Sequence, residues 1–294
     1  MAQKIKPNVV PFRQVLDAEP ELTVGLPPTV AQAQAATDRR AAVVDLSDKP
    51  KAWLLIGPGR VGKTMLARFV AEMVANRGGQ AIYAAADPQN RSLAQYLDDV
   101  AQPATNDAAA TTRRLEQLIR HAMGEAVSVV CDLGGGDTSL GRLLADMPDL
   151  ATVMEAGGIA PVAVYILGPR VDDLASLASF EARGFRPAAT AIVTNEGLAD
   201  PTTPREESFV RVLRHSAFRS AVDRGSVHLW MPALDPAVTQ EIEAKRLGFM
   251  QARDAVSPEG RKVTPLGPFD RSRVRRWLDI MTAEFGPIMS WLPS

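Results

Sequence analysis

The chain has one cysteine, three histidines and almost no charge imbalance: 33 Lys plus Arg stand against 34 Asp plus Glu in 294 residues, a formal net charge of −1. Each scarcity excludes something. A single thiol, Cys131, rules out an intrachain disulfide framework and suits a reducing compartment. The histidines, His121, His215 and His228, are scattered and form no arrangement suited to acid–base chemistry. The near-neutral balance excludes a histone-like polycation, and 46% apolar with 23% charged residues exclude a disordered chain or a fibre. No apolar run approaches the roughly 20 residues that span a bilayer, and the opening residues 1–7 hold no apolar signal core. The expectation is a soluble cytoplasmic protein, long enough for one large α/β domain or two smaller ones.

What is present changes along the chain. Residues 1–50 are rich in Pro, Ala and Gln and are broken by Pro7, Pro11, Pro20, Pro27 and Pro28; they read as a flexible arm with at most one short helix over 29–43. From residue 52, short apolar runs at 53–56, 81–85, 127–131, 162–167, 188–193 and 227–231 alternate with helical patterns. The helical stretches are 63–75, 108–123, 139–147, 171–182 and a mixed polar region at 206–219. Runs without strict alternation, separated by helices, predict strands buried on both faces: an α/β fold with a mostly parallel twisted sheet and helices on both sides.

The first apolar run ends in Gly57-Pro58-Gly59-Arg60-Val61-Gly62-Lys63-Thr64, matching G-x-x-x-x-G-K-[ST] with a strand before it and a helix after it. In such a loop, backbone amides curl around phosphate oxygens and the helix N-terminus adds a positive dipole end. Lys63 neutralises the β and γ phosphates, and Thr64 ligates Mg²⁺. The plain alternative, a glycine-rich turn that happens to carry a lysine, requires eight positions and their context to coincide by chance. A magnesium–nucleotide site also needs a carboxylate at the same end of the sheet, and Asp132, closing the run 127–131, supplies it. Asp132 also has a reading as a turn or helix cap. Asp137 follows Gly134-Gly135-Gly136 and suits helix capping at least as well as catalysis, while Cys131 reads as a small core residue.

The second run closes on Asp87-Pro88-Gln89. Following a P-loop helix and a strand, this resembles the ParA/MinD group of deviant Walker-A ATPases, which position plasmids, chromosomes and other cargo. The resemblance covers roughly residues 51–251 and implies that Asp87 orients the water attacking the γ phosphate; the group's preceding aspartate is replaced here by Ala85. It also implies a Walker-B role for Asp132, an adenine-reading role for Asn195 at the end of the run 191–195, and a base-flanking role for Pro232. Asn195 reads equally well as a turn residue. The resemblance further implies ATP and Mg²⁺ as cofactors, slow hydrolysis stimulated by an activating partner protein, a nucleotide-dependent homodimer, and action in partition, positioning or conjugative DNA transfer. One position departs from the group. Its signature lysine falls at Pro58, which carries no charge, while its second glycine falls at Arg60, a cation able to meet phosphate in cis or in trans or to sit solvated.

Charge is unevenly spread: residues 201–294 hold 14 basic against 11 acidic side chains, with Arg205, Arg211, Arg214, Arg219 and Arg224 in one cluster and Arg271, Arg273, Arg275 and Arg276 in another. Arginine clusters of this kind can track a DNA backbone without reading sequence, or simply form a solvated face. Residues 271–285 also carry a helical apolar stripe of Val274, Trp277, Leu278, Met281 and Phe285, open to docking on the domain, to DNA or to a membrane. The expected organisation is an arm at 1–50, a P-loop ATPase domain at 51–251 and an extension at 252–294 with an amphipathic, Arg-rich helix. Two further readings stand beside the switch: a nucleotide-holding adaptor without turnover, and a metabolic ATP-dependent synthetase on the same scaffold.

Overall fold

The structure is a computed structural model and describes residues 43–85, 93–97, 99–101, 107–135 and 139–294. Six strands, β1 (Lys51–Ile56), β2 (Ile82–Ala85), β3 (Val129–Asp132), β4 (Ala160–Leu167), β5 (Ala189–Asn195) and β6 (Val227–Met231), form one sheet in the order β2-β3-β1-β4-β5-β6. Every pairing is parallel. β1 is central: the chain goes first to one side of it and then to the other. The strand order therefore reverses beside its C-terminal end, where α/β sheets of this kind hold ligands.

The helices are α1 (Lys63–Asn76), α2 (Ala108–Glu125), α3 (Ser139–Asp146), α4 (Leu150–Ala156), α5 (Ala175–Ala182), α6 (Arg205–Ser208), α7 (Val210–Arg214), α8 (Ser216–Asp223), α9 (Pro236–Ala244), α10 (Phe249–Asp254) and α11 (Pro268–Glu284). Because successive strand side chains point to opposite faces, β1 feeds two cores at once. Trp53 and Leu55 join α1, α9, α10 and α11 on one face, and Ala52, Leu54 and Ile56 join α2 to α5, α7 and α8 on the other. Burial on both faces explains why these strands lack strict alternation.

Three details differ from the sequence reading. The stretch 171–182 opens as a 3₁₀ turn, Val171–Leu174, before α5 begins. The region 206–219 breaks into three short helices: His215 adopts an extended conformation, and its imidazole accepts the Ala217 amide at 3.2 Å as a new N-cap. Helices α4 and α10, of seven and six residues, are too short to show a period.

Helix α11 docks on the domain. Its stripe of Val274, Trp277, Leu278, Met281 and Phe285 is buried in the same core as α1. The Trp277 ring packs edge-on against Phe69 (6.1 Å between centroids) and against Phe249 (4.7 Å), and its Nε1 donates to the Pro232 carbonyl at 2.9 Å. No apolar face of this stripe is left for a membrane, and among the described residues no helix is long and apolar enough to cross one. The last segment returns beneath β1: Trp53 Nε1 donates to the Trp291 carbonyl at 2.5 Å, and Trp291 Nε1 to the Val44 carbonyl at 2.7 Å.

Candidate functional site

The chain leaves β1 at Gly57 and re-enters regular structure at Lys63, the first residue of α1. Between them the loop closes on itself. Gly62, the N-cap, has φ 100°, a left-handed conformation that L side chains resist, and its amide neighbourhood is tight: a Cβ here would sit 2.7 Å from both Asn195 Nδ2 and Met231 Cε. Gly135 shows the same economy from the facing loop, since a Cβ there would lie 2.2 Å from the Gly59 nitrogen. Arg60 also has a positive φ, 66°, at the exposed rim of the loop. A non-glycine residue held there costs about 1–2 kcal/mol.

The chemistry-bearing side chains meet. Lys63 is 6% exposed and its Nζ donates to the carbonyls of Gly57 and Pro58 at 2.8 and 2.7 Å, so the ammonium lies curled within the loop. Thr64 Oγ1 donates to Asp132 Oδ2 at 2.7 Å. This contact follows from register: Leu55 pairs with Asp132, which places the carboxylate at the end of β3 beside the root of the loop. A hydroxyl on a buried carboxylate, one residue from the loop lysine, is a donor set suited to a hydrated divalent cation beside a phosphate chain. The residues present therefore fit Mg²⁺ and a nucleoside triphosphate.

These groups open onto a cleft of about 850 Å³, within the usual range for small-molecule sites. Gly59, Arg60, Gly62, Lys63, Thr64 and Asp132 line one end; Asn195, Pro232, Leu234 and the α9 residues Thr239, Gln240 and Glu243 line the other. Val61 is buried and its carbonyl accepts from Asn195 Nδ2 at 2.9 Å, while Asn195 Oδ1 accepts the Gly197 amide at 2.9 Å. Asn195 thus braces the loop and forms the turn after β5, with one N–H left over. Pro232 lines the cleft, and its carbonyl accepts from Trp277 Nε1. Asp87 and Asp137 lie outside the described residues, as do residues 1–42 of the arm.

Arg68 is a cleft residue that motif reading missed. It stands one turn beyond Thr64 on α1, is 4% exposed, and donates from Nη2 to the Leu247 carbonyl at 3.0 Å. Its guanidinium lies 3.5 Å from the centroid of the Tyr96 ring and 4.5 Å from that of Phe249, and burial pulls its pKa down. The i, i+4 spacing from Thr64 was the available signal.

Both arginine clusters mix paired with exposed side chains, Arg211 and Arg219 of the first being exposed. Arg205 is built into the fold: it pairs with Glu196 at 2.6 Å, Glu206 at 3.1 Å and Glu284 at 3.5 Å, and stacks over Trp230 at 4.7 Å. Arg224 pairs with Glu181. In the second cluster Arg273 meets Asp270, whereas Arg275 and Arg276 are exposed. His228, packed between Phe218 and Trp230 with Nε2 2.9 Å from Thr194 Oγ1, is pushed down to about 4 by burial, Arg205 adding to the effect. This half-buried imidazole is thereby biased toward its neutral form.

A P-loop at the end of a central parallel strand, with its threonine on the carboxylate of the neighbouring strand, defines the fold as that of P-loop nucleotide-binding proteins. No family model and no curated protein matches the chain. Among solved structures it is similar to the MinD cell division protein of Aquifex aeolicus, at 14% identity and a TM-score of 0.41 over 78% of this chain and 97% of that one. It is also similar to the cell division protein FtsY of Thermotoga maritima, at 14% identity and 0.43 over 66% of this chain and 74% of that one. The 54 kDa signal recognition particle protein of Aeropyrum pernix K1, solved in complex with GDP, matches at 17% identity and 0.44 over 76% of this chain and 55% of that one. At this distance none of them transfers a ligand or an activity.

Proposed function

We propose that the protein is a Mg-ATP-binding, slowly hydrolysing switch of the ParA/MinD kind, acting in partition, positioning or DNA transfer. The observation that carries the reading is the Thr64–Asp132 contact beside the buried Lys63, at the mouth of a nucleotide-sized cleft. In it, Lys63 leaves the Gly57 and Pro58 carbonyls for the β and γ phosphates, Thr64 and Asp132 hold the Mg²⁺ shell, Asp87 orients water, and Asn195 and Pro232 flank the base. Residues 51–251 form the nucleotide-binding body and 252–294 an extension that braces it. Nucleotide then favours a homodimer, and an activating partner protein speeds hydrolysis. Contact with DNA in this cycle falls to the exposed arginines of both clusters, Arg211 and Arg219 in the first and Arg275 and Arg276 in the second, rather than to Arg205 and Arg224, whose charges are already paired.

Titration with fluorescent ATP and GTP analogues, with and without Mg²⁺, tests the core of the reading. ATP binding should depend on Mg²⁺ and fall at least about tenfold in Lys63→Ala, the loss of one charge-assisted contact. Undiminished binding in the variant overturns it. The nucleotide-holding adaptor is the second reading, favoured by Pro58 at the position where a charge would otherwise stand. Steady-state phosphate release that stays at background with DNA and candidate partners present selects it.

A further inference from the structure

The nucleotide cleft has a neighbour. Along the other flank of α1 runs a groove of about 810 Å³, bounded by the later turns of α1, the approach to β2 and the chain between Arg246 and Arg261. Its apolar floor is Ala71, Val74, Tyr83 and Met250; its cations are Arg68, Arg246 and Arg261. Of the two carboxylates in the wall, Glu72 is already spent, accepting the Phe249 and Met250 amides at 2.7 Å each, which leaves Glu259. Arg261 is exposed and reaches across to donate to the carbonyls of Lys245 and Arg246 at 2.6 and 3.0 Å. The stretch 245–276 carries nine basic and three acidic side chains in a chain whose net charge is −1. An occupant of this groove should therefore be anionic on one side and apolar on the other.

The chain contains such a segment. Residues 15–22 read Val-Leu-Asp-Ala-Glu-Pro-Glu-Leu, within a stretch, 14–38, that has no lysine or arginine. Asp17, Glu19 and Glu21 alternate with Leu16, Ala18, Pro20 and Leu22, so an extended peptide of this sequence has one carboxylate face and one apolar face. Pro20 disfavours the helical alternative. The arm is also rooted in the right place. Val44 and Leu46 are held by the segment that ends the fold, through the Trp291 indole and Ser290 Oγ. The same segment flanks the groove, where a Cβ on Gly79 would meet the Pro293 carbonyl at 3.0 Å. Twenty residues, 23–42, separate this segment from Val43, and a chain of that length spans at most roughly 65 Å.

We propose that this groove is the docking site of the chain's own residues 15–22, with Asp17, Glu19 and Glu21 on the Arg246 and Arg261 rim and Leu16 and Leu22 on the floor. Arg68 and Tyr96 line both the groove and the nucleotide cleft, so the docked arm and a nucleotide share a wall. The docking itself does not rest on the nucleotide reading.

The test uses the full chain without nucleotide, carrying a photo-crosslinking amino acid at Val256, a groove position that is 51% exposed. Mass spectrometry should map an intrachain cross-link to residues 13–26. The yield should fall about tenfold in the D17N/E19Q/E21Q variant, which removes three exposed ion pairs without touching the folded body, and should fall likewise at high salt. No cross-link into 13–26, a yield indifferent to the triple substitution, or a cross-link joining two copies overturns the proposal.

Discussion

Replacing Gly62 by alanine is expected to destabilise the protein by about 3 kcal/mol. Holding an L residue at φ 100° costs about 1–2 kcal/mol. The new methyl would stand 2.7 Å from Asn195 Nδ2 and Met231 Cε, and moving either side chain adds about 1–3 kcal/mol of overpacking. Displacing Asn195 also breaks its bond to the Val61 carbonyl, worth about 1 kcal/mol. The stiffer unfolded chain returns about 0.4–1 kcal/mol. For a domain of this size the balance corresponds to a fall in Tm of roughly 6–12 °C. Gly59→Ala is the matched control: a Cβ there meets nothing within 4 Å, so its stability should change by less than about 0.5 kcal/mol. Urea and thermal unfolding of both variants decide the matter. Equal effects at the two glycines, or a Gly62→Ala protein as stable as the parent, would refute the packing argument.

Trp277→Ala should cost about 3–5 kcal/mol, because it empties a buried site between Phe69 and Phe249 and strips the Pro232 carbonyl of its donor; a loss below about 1 kcal/mol in urea would show that α11 is only loosely attached. Stability should fall as pH drops from about 6.5 to about 4, since the unfolded chain protonates His228 in that window while the folded one keeps it neutral. The contribution is up to about 3 kcal/mol, and His228→Phe should flatten that slope; an unchanged pH profile contradicts it. Arg60→Ala should lower ATP turnover or nucleotide-dependent dimerisation, read by phosphate release and by light scattering, and unchanged values for both would dismiss a phosphate role for this residue.

Much of the architecture was legible because its physics is local. The unbroken apolar runs announced double-sided burial, and each of the six strands lies within about two residues of the run that predicted it. Lys63, Thr64 and Asp132 were legible for a related reason: a loop that follows one strand and a carboxylate that closes another must come together when the strands are neighbours. What escaped depends on partners distant in sequence. Nothing near Arg205 reveals Glu284, 79 residues away, so a structural ion pair looked like part of a surface cluster. Arg68 lacked a motif, and its aromatic partners, Tyr96 and Phe249, come from segments far apart in the chain. Asn195 looked like a base reader or a turn residue, and only the fold reveals its bond to the P-loop.

The indole of Trp53, near the start of the first strand, is capped by a carbonyl 238 positions further on. During synthesis at about 5–20 residues per second, that strand waits roughly 10–50 s for its cover. Until then the central strand of the sheet has an open apolar flank and an unmatched indole N–H. The nascent chain therefore passes through a long interval in which it is a client for chaperones, and truncation within the last few residues should be felt first as aggregation rather than as a loss of chemistry.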